Sequence, residues 1–66
     1  MQIQINGEPR TVEDNCSAAD LIKHLGLEGR RIAMEINGEI QPRSGYTERR
    51  IAAGDCIEIV HAIGGG

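Results

Sequence analysis

Sixty-six residues give one domain, and a chain this short hides only about 60% of the surface its unfolded form exposes, so its core must be compact. The apolar residues are aliphatic, with one Tyr and neither Phe nor Trp, enough for one sheet on one helix but too few to wall an enclosed pocket, which argues against an autonomous enzyme. The net charge of −3 argues against a nucleic-acid partner, and no run approaches the roughly 18 apolar residues of a membrane span, so the expectation is no nucleic acid, no membrane and a cytoplasmic chain without a signal peptide.

Gln2-Ile3-Gln4-Ile5 alternates polar and apolar at the period of a half-buried strand. Asn6-Gly7 follows at once and is a strong hairpin signal, because both residues tolerate positive φ. The returning strand is expected over residues 8–13. Pro9 cannot donate to a ladder, which places this strand at a sheet edge.

Ser17 with Asp20 three residues on has the form of a capping box. Leu21, Ile22 and Leu25 then form one apolar stripe, and Gly26 supplies a left-handed stop, so a short helix is expected over residues 18–25. It is marginal alone and needs the sheet to hold it.

Ile32, Met34 and Ile36 alternate with Ala33 and Glu35 as a second strand, and Asn37-Gly38 repeats the hairpin signal. Ile40 begins a short return that Pro42 stops. Residues 43–53 show no sustained period and read as loop, with one helical turn around residues 44–47. Gly54-Asp55 turns the chain into a last strand over residues 56–62, with Ile57 and Ile59 on one face and Cys56, Glu58 and Val60 on the other.

The order is hairpin, helix, strand, short strand, final strand. A helix between strands favours a crossover, with one helix covering one face of a mixed sheet of four to five strands. This is an α+β, β-grasp arrangement. The domain is expected over residues 1–63, and residues 64–66 form a flexible Gly-Gly-Gly tail. Ile3, Ile5, Leu21, Ile22, Leu25, Ile32, Met34, Ile36, Ile57 and Ile59 make the expected core, leaving Gln2, Gln4, Ala33, Glu35, Glu58 and Val60 on an open face.

Side-chain chemistry is sparse. His24 and His61 lack partners at metal-ligand spacing, so no metal site is expected. Two cysteines without an export signal are expected as free thiols. Cys56 has Asp55 and Glu58 nearby and reads as a small, partly buried hydrophobe. Cys16, just before the helix, is the better thiolate candidate, since helix N-termini favour anions. The basic pairs Arg30-Arg31 and Arg49-Arg50 are too short to make a patch unless the fold gathers them.

Gly64, Gly65 and Gly66 are not a phosphate loop, because no helix and no Lys-Ser/Thr follow them. A glycine tail by itself reads more simply as a frayed terminus. After an apolar strand of this order, it reads as a working end. Three residues reach about 10 Å, and without Cβ atoms they fit a narrow channel against a nucleotide. The carboxylate of Gly66 is then the reacting group. Converted to an acyl adenylate, it can be opened by sulfide or an enzyme persulfide to give a thiocarboxylate, with no catalytic side chain from the carrier. Val60 and Ala33, with Ala62 and Ile63 beside the tail, form the expected partner-docking surface.

The chain resembles the ThiS family of thiamine-biosynthesis sulfur carriers over nearly its whole length. The resemblance lies in Ile3-x-Ile5-Asn6-Gly7-Glu8, in Ala19-Asp20-Leu21-Ile22, in the run from Glu35 to Arg43, and in Gly54-Asp55-Cys56-Ile57-Glu58-Ile59-Val60. It implies a ubiquitin-like fold and adenylation of Gly66 by a ThiF-like enzyme that uses ATP, with no cofactor held by the carrier. It further implies sulfur from a cysteine desulfurase or another donor, and delivery to a ThiG-like thiazole synthase. Two features depart from the pattern: the third glycine, Gly64, and Ala62, which stands where many relatives carry a bulky residue. Alternative readings are the small subunit of molybdopterin synthase, which shares fold and tail, a ubiquitin-like protein modifier, and an interaction module with an inert tail.

Overall fold

The computed structural model describes residues 1–61. The elements are β1 (Gln2–Ile5), β2 (Glu8–Thr11), α1 (Ala18–His24), β3 (Ile32–Ile36), β4 (Glu39–Gln41), a 3-10 turn (Arg43–Gly45) and β5 (Cys56–His61). The strands form one sheet in the order β2-β1-β5-β3-β4. β5 runs parallel to β1 and antiparallel to β3, and both outer pairs are antiparallel hairpins. The mixed sheet with a single helix is the expected ubiquitin-like β-grasp.

Both hairpins close through two-residue loops in which each residue has positive φ: Asn6 (52°) and Gly7 (83°), Asn37 (54°) and Gly38 (85°). That is the type I′ geometry whose twist matches the flanking strands. Pro9 sits opposite Gln4 on the edge strand, as its missing N–H requires. β2 stops at Thr11, two residues short of the expected end, opposite Gln2, the first residue of β1.

The alternating pattern of β1, β3 and β5 puts Ile3, Ile5, Ile32, Met34, Ile36, Ile57 and Ile59 under the helix, with Ala18, Leu21 and Ile22 descending from α1. Ile3, Leu21, Met34 and Ile57 are fully buried, each contributing about 1.5–3 kcal/mol relative to exposure. Leu25 is a correction. It forms the helix C-cap and lies half-buried at the core's margin, because Gly26 (φ 71°) turns the chain away there.

Residues 43–53 are not a passive loop. The single turn lies at residues 43–45, earlier than expected, directly after Pro42. Tyr46 and Ile51 then enter the core, and the intervening backbone runs beside the start of α1. The Ala18 N–H donates to Arg49 O (2.9 Å), the Ala19 N–H to Tyr46 O (3.0 Å) and the Ile51 N–H to Cys16 O (2.9 Å). The Asp20 N–H donates to Ser17 Oγ (3.0 Å), and Asp20 Oδ2 accepts from the Ser17 N–H (3.1 Å), completing the expected capping box. The helix-start amides that lack intrahelical acceptors are thus satisfied by one serine and one returning segment. A seven-residue helix that could not persist alone is held at both its apolar face and its N-terminus.

Candidate functional site

β5 is the strand that leads into the glycines, and it occupies the centre of the sheet. It is held at Ile59 and at Cys56 by the two hairpin asparagines. Asn6 continues the parallel ladder from β1, its N–H donating to Ile57 O at 2.8 Å. The next rung needs an acceptor for the Ile59 N–H, but the backbone has already turned away at positive φ. The side chain substitutes: Asn6 Oδ1 accepts from the Ile59 N–H (2.8 Å), and Nδ2 donates to Ile59 O (3.2 Å).

Asn37 repeats the device at the start of β5. Its N–H donates to Cys56 O (2.8 Å), while its Oδ1 accepts the Cys56 N–H (2.9 Å) in place of its own carbonyl. Its Nδ2 donates to Asp55 Oδ1 (3.0 Å), and Asp55 Oδ2 accepts from the Ala52 N–H (2.8 Å). Asp55 is buried, and both its oxygens are engaged in closing the turn into β5. From sequence these residues were legible only as turn formers. The one signal for more was the use of Asn in both turns, since Asn alone combines tolerance of positive φ with a donor and an acceptor.

The face of β5 turned away from the helix carries Cys56, Glu58 and Val60. Val60 pairs with Ala33, Glu58 with Glu35, and Cys56 with Gln4. Val60 is 58% exposed and Ala33 is half-buried, so the structure brings these two members of the expected docking surface side by side. Ala62, Ile63, Gly64, Gly65 and Gly66 lie outside the described residues.

The two thiols exchange the roles expected of them. Cys16 is buried, donates its S–H to Ser17 O (3.4 Å), and has its pKa raised by desolvation first and by the charges of Asp20 and Glu13 second. Its position before the helix does not make it a thiolate, because the capping carboxylate of Asp20 already occupies that positive end. Cys56 is exposed on the open face rather than partly buried, since it alternates outward with Glu58 and Val60. Both cysteines are free. His24 and His61 are exposed, and among the described residues no three His, Cys, Asp or Glu side chains converge on a common point. Among the described residues no helix is long and apolar enough to cross a membrane.

Residues 3–66 match the family model described as the ThiS family. The chain is 35% identical over 65 residues to the sulfur carrier protein ThiS of Bacillus subtilis, covering 97% of this chain and 98% of that one. It is 41% identical over all 66 residues to a thiazole synthase of Paramagnetospirillum magneticum, and there it spans only 20% of the relative's length. A thiazole synthase of Magnetococcus marinus matches in the same way at 36% identity, again over 20% of its length. The crystal structure of a thiamine biosynthesis protein, ThiS, from Geobacter metallireducens superposes with a TM-score of 0.88 at 28% identity, covering all of both chains.

Proposed function

The chain belongs to the ThiS family, and from that premise we propose that it is a sulfur carrier of thiamine biosynthesis, acting as a co-substrate of partner enzymes rather than as an enzyme. The observation that carries this reading is a family match that runs to Gly66 on a domain whose central strand leads into the glycines. The reacting group is the Gly66 carboxylate. A ThiF-like partner attaches it to the α-phosphorus of ATP, releasing pyrophosphate and leaving an acyl adenylate. Hydrosulfide then attacks the acyl carbon and AMP departs, giving the thiocarboxylate. With a desulfurase persulfide as donor, the first product is an acyl disulfide, and a thiol cleaves its S–S bond to the same end.

The carrier's own contribution is positional. β5 is paired on both sides and held by Asn37 at Cys56 and by Asn6 at Ile59, so the strand that precedes the glycines in the chain is fixed within the sheet. Gly64, Gly65 and Gly66 supply reach and a narrow profile for a partner's channel. Val60 and Ala33, with Ala62 and Ile63, provide the apolar docking surface, and the paired Glu35 and Glu58 beside them favour a basic counterpart on the partner. The acceptor is a thiazole synthase: two relatives bearing that name contain a stretch similar to this entire chain, which is what a carrier joined to its acceptor looks like. Partners that use ATP and cysteine-derived sulfur support a cytoplasmic carrier.

The test is the intact mass of the chain ending at Gly66 after incubation with ATP, a sulfur source and a ThiF-like enzyme. Replacement of one oxygen by sulfur is expected. An unchanged mass with an enzyme shown active on its own carrier overturns the proposal. Transfer to a thiazole synthase, and not to a large molybdopterin synthase subunit, identifies the pathway.

A further inference from the structure

A groove of about 740 Å³ lies on the helix side of the sheet, opposite the face that carries Val60. Its floor is apolar and includes Ala19, Ile22, Leu27, Ile32 and Tyr46. Four cationic side chains line it, Lys23, Arg30, Arg43 and Arg50, against two carboxylates, Asp20 and Glu28. That is a net +2 on a chain whose total is −3, so the remainder carries −5. The fold therefore gathers cations that look scattered in the sequence. Arg43 reaches Arg30, its Nη2 donating to the Arg30 carbonyl (3.3 Å), and Arg50 Nη1 donates to Asn15 O (3.1 Å).

Among the described residues none of the four comes within 4.0 Å of a carboxylate, and only Lys23 and Arg50 act on Asp20 at longer range. The ion pair found among the described residues, within 4.0 Å, joins the Met1 amino group to Asp14, away from this groove. An acidic chain has carboxylates to spare for pairing its few cations, yet Lys23, Arg30, Arg43 and Arg50 share this apolar trough with only Asp20 and Glu28. Since the charge of the groove is opposite to that of the rest of the surface, it favours an anionic visitor. The groove is partly open to solvent rather than enclosed, which suits a segment of a protein better than a small molecule.

We propose that this groove is a second docking site, which takes an acidic segment of a partner protein bearing apolar side chains: its carboxylates meet Lys23, Arg30, Arg43 and Arg50, and its apolar residues cover Ile22, Leu27 and Tyr46. Because the groove and the Val60 face lie on opposite sides of the sheet, a partner held here leaves the strand face free for another protein. The proposal stands independently of the sulfur-carrier reading.

The experiment is a ¹⁵N-labelled titration of the full chain with a short synthetic peptide of alternating Glu and Leu, run beside poly-Glu, ATP and inorganic pyrophosphate. Expected are saturable amide shifts at residues 22–30 and 43–50 with residues 33 and 58–60 unmoved, and weakening in high salt. Reversing Arg30 and Arg43 together (R30E/R43E) is expected to weaken binding by about tenfold, with two surface charge pairs turned repulsive. K23E, at an exposed helix position, provides a second variant should the loop pair alter folding. No shifts at millimolar peptide, shifts confined to the Val60 face, or equal binding by the folded variants overturns the proposal. Equal or tighter binding of ATP or pyrophosphate makes the groove a small-anion site and also overturns it, as does equal binding of poly-Glu, which has no use for the apolar floor.

Discussion

Asn6 and Asn37 hold β5 at Ile59 and Cys56 by the same substitution of side chain for backbone: each accepts, on Oδ1, an N–H of β5 that its own carbonyl would have taken had its strand continued. The hairpins and the central strand are therefore one construction. The residue that turns each hairpin also completes the last rung to β5, so the turns cannot be altered without loosening the strand that leads to the glycines.

Replacing Asn6 with Gly separates these two duties. Glycine keeps the positive φ at no steric cost but removes the amide, leaving the Ile59 N–H and C=O without partners. The expected loss is about 1–3 kcal/mol in a urea denaturation series, the usual cost of orphaned polar groups. Asn6→Asp keeps the acceptor and sets a carboxylate against the Ile59 carbonyl, so it should also be less stable than the parent. Asn37→Gly should behave like Asn6→Gly. A neutral result for both glycine variants would show that only the turn geometry matters.

The strands, the helix and its capping box could be read from the sequence because each is governed by neighbours in the chain: alternation in Ile3–Ile5 and Ile32–Ile36, and hydroxyl-carboxylate spacing in Ser17 and Asp20. Tyr46 and Ile51 escaped because their partners, the helix start and the core, lie some 30 residues away, and nothing periodic marks a segment whose backbone bonds go to α1. Cys16 was misjudged for the same reason. Its proximity to a helix start is local and legible, whereas its burial is a tertiary fact. The docking pair Val60 and Ala33 could be placed on one face by alternation, and their cross-strand register then made them neighbours.

The segment from Tyr46 to Ile51 should consequently behave as core. Ile51 is 4% exposed, and Ile51→Ala is expected to cost about 2–5 kcal/mol by thermal or urea unfolding, the range for emptying a buried aliphatic site. The amides of residues 18–20 should lose hydrogen-exchange protection in the same variant, since Arg49 and Tyr46 carbonyls satisfy two of them. A loss below 1 kcal/mol would return these residues to the status of a loop.

Asp20 makes stability depend on pH at the acid end. Its hydrogen bonds to Ser17, backbone first and hydroxyl second, hold its pKa below the ordinary value of 3.8. A carboxylate with a lowered folded-state pKa stabilises the fold fully above the unfolded value, and that contribution is lost as pH falls from about 3.8 through the folded value. Asp20→Asn, which retains an acceptor but no charge, should reduce stability at neutral pH and converge with the parent once the pH falls below the lowered folded-state pKa. A parallel offset at all pH values would mean that the carboxylate's ionisation plays no part.

The thiols should separate cleanly in a labelling experiment. Cys56 is exposed and should react with iodoacetamide in the native protein, and Cys56→Ser should abolish that reaction. Cys16 is 3% exposed with a raised pKa and should be labelled only when urea unfolds the domain. Native labelling of Cys16 at a rate comparable to Cys56 would contradict the packing of the helix start.

The docking face yields the sharpest functional test at Val60. Its side chain is more than half exposed on a face with no helix above it, so its apolar surface adds little to folding. Val60→Asp places a third carboxylate near Glu35 and Glu58 and removes the apolar contact, at a cost of about 1 kcal/mol at most from strand preference. Val60→Thr keeps the β-branched shape and the strand preference while adding a hydroxyl. If this face seats the adenylating enzyme, Val60→Asp should raise KM for the carrier by about tenfold or more, matching the loss of a central apolar contact. kcat should hold, because the glycines and their carboxylate are untouched, and Val60→Thr should fall between the two. Unaltered KM in a variant shown to be folded would place enzyme docking elsewhere, while a fall in kcat alone would implicate delivery of the tail rather than recognition of the face.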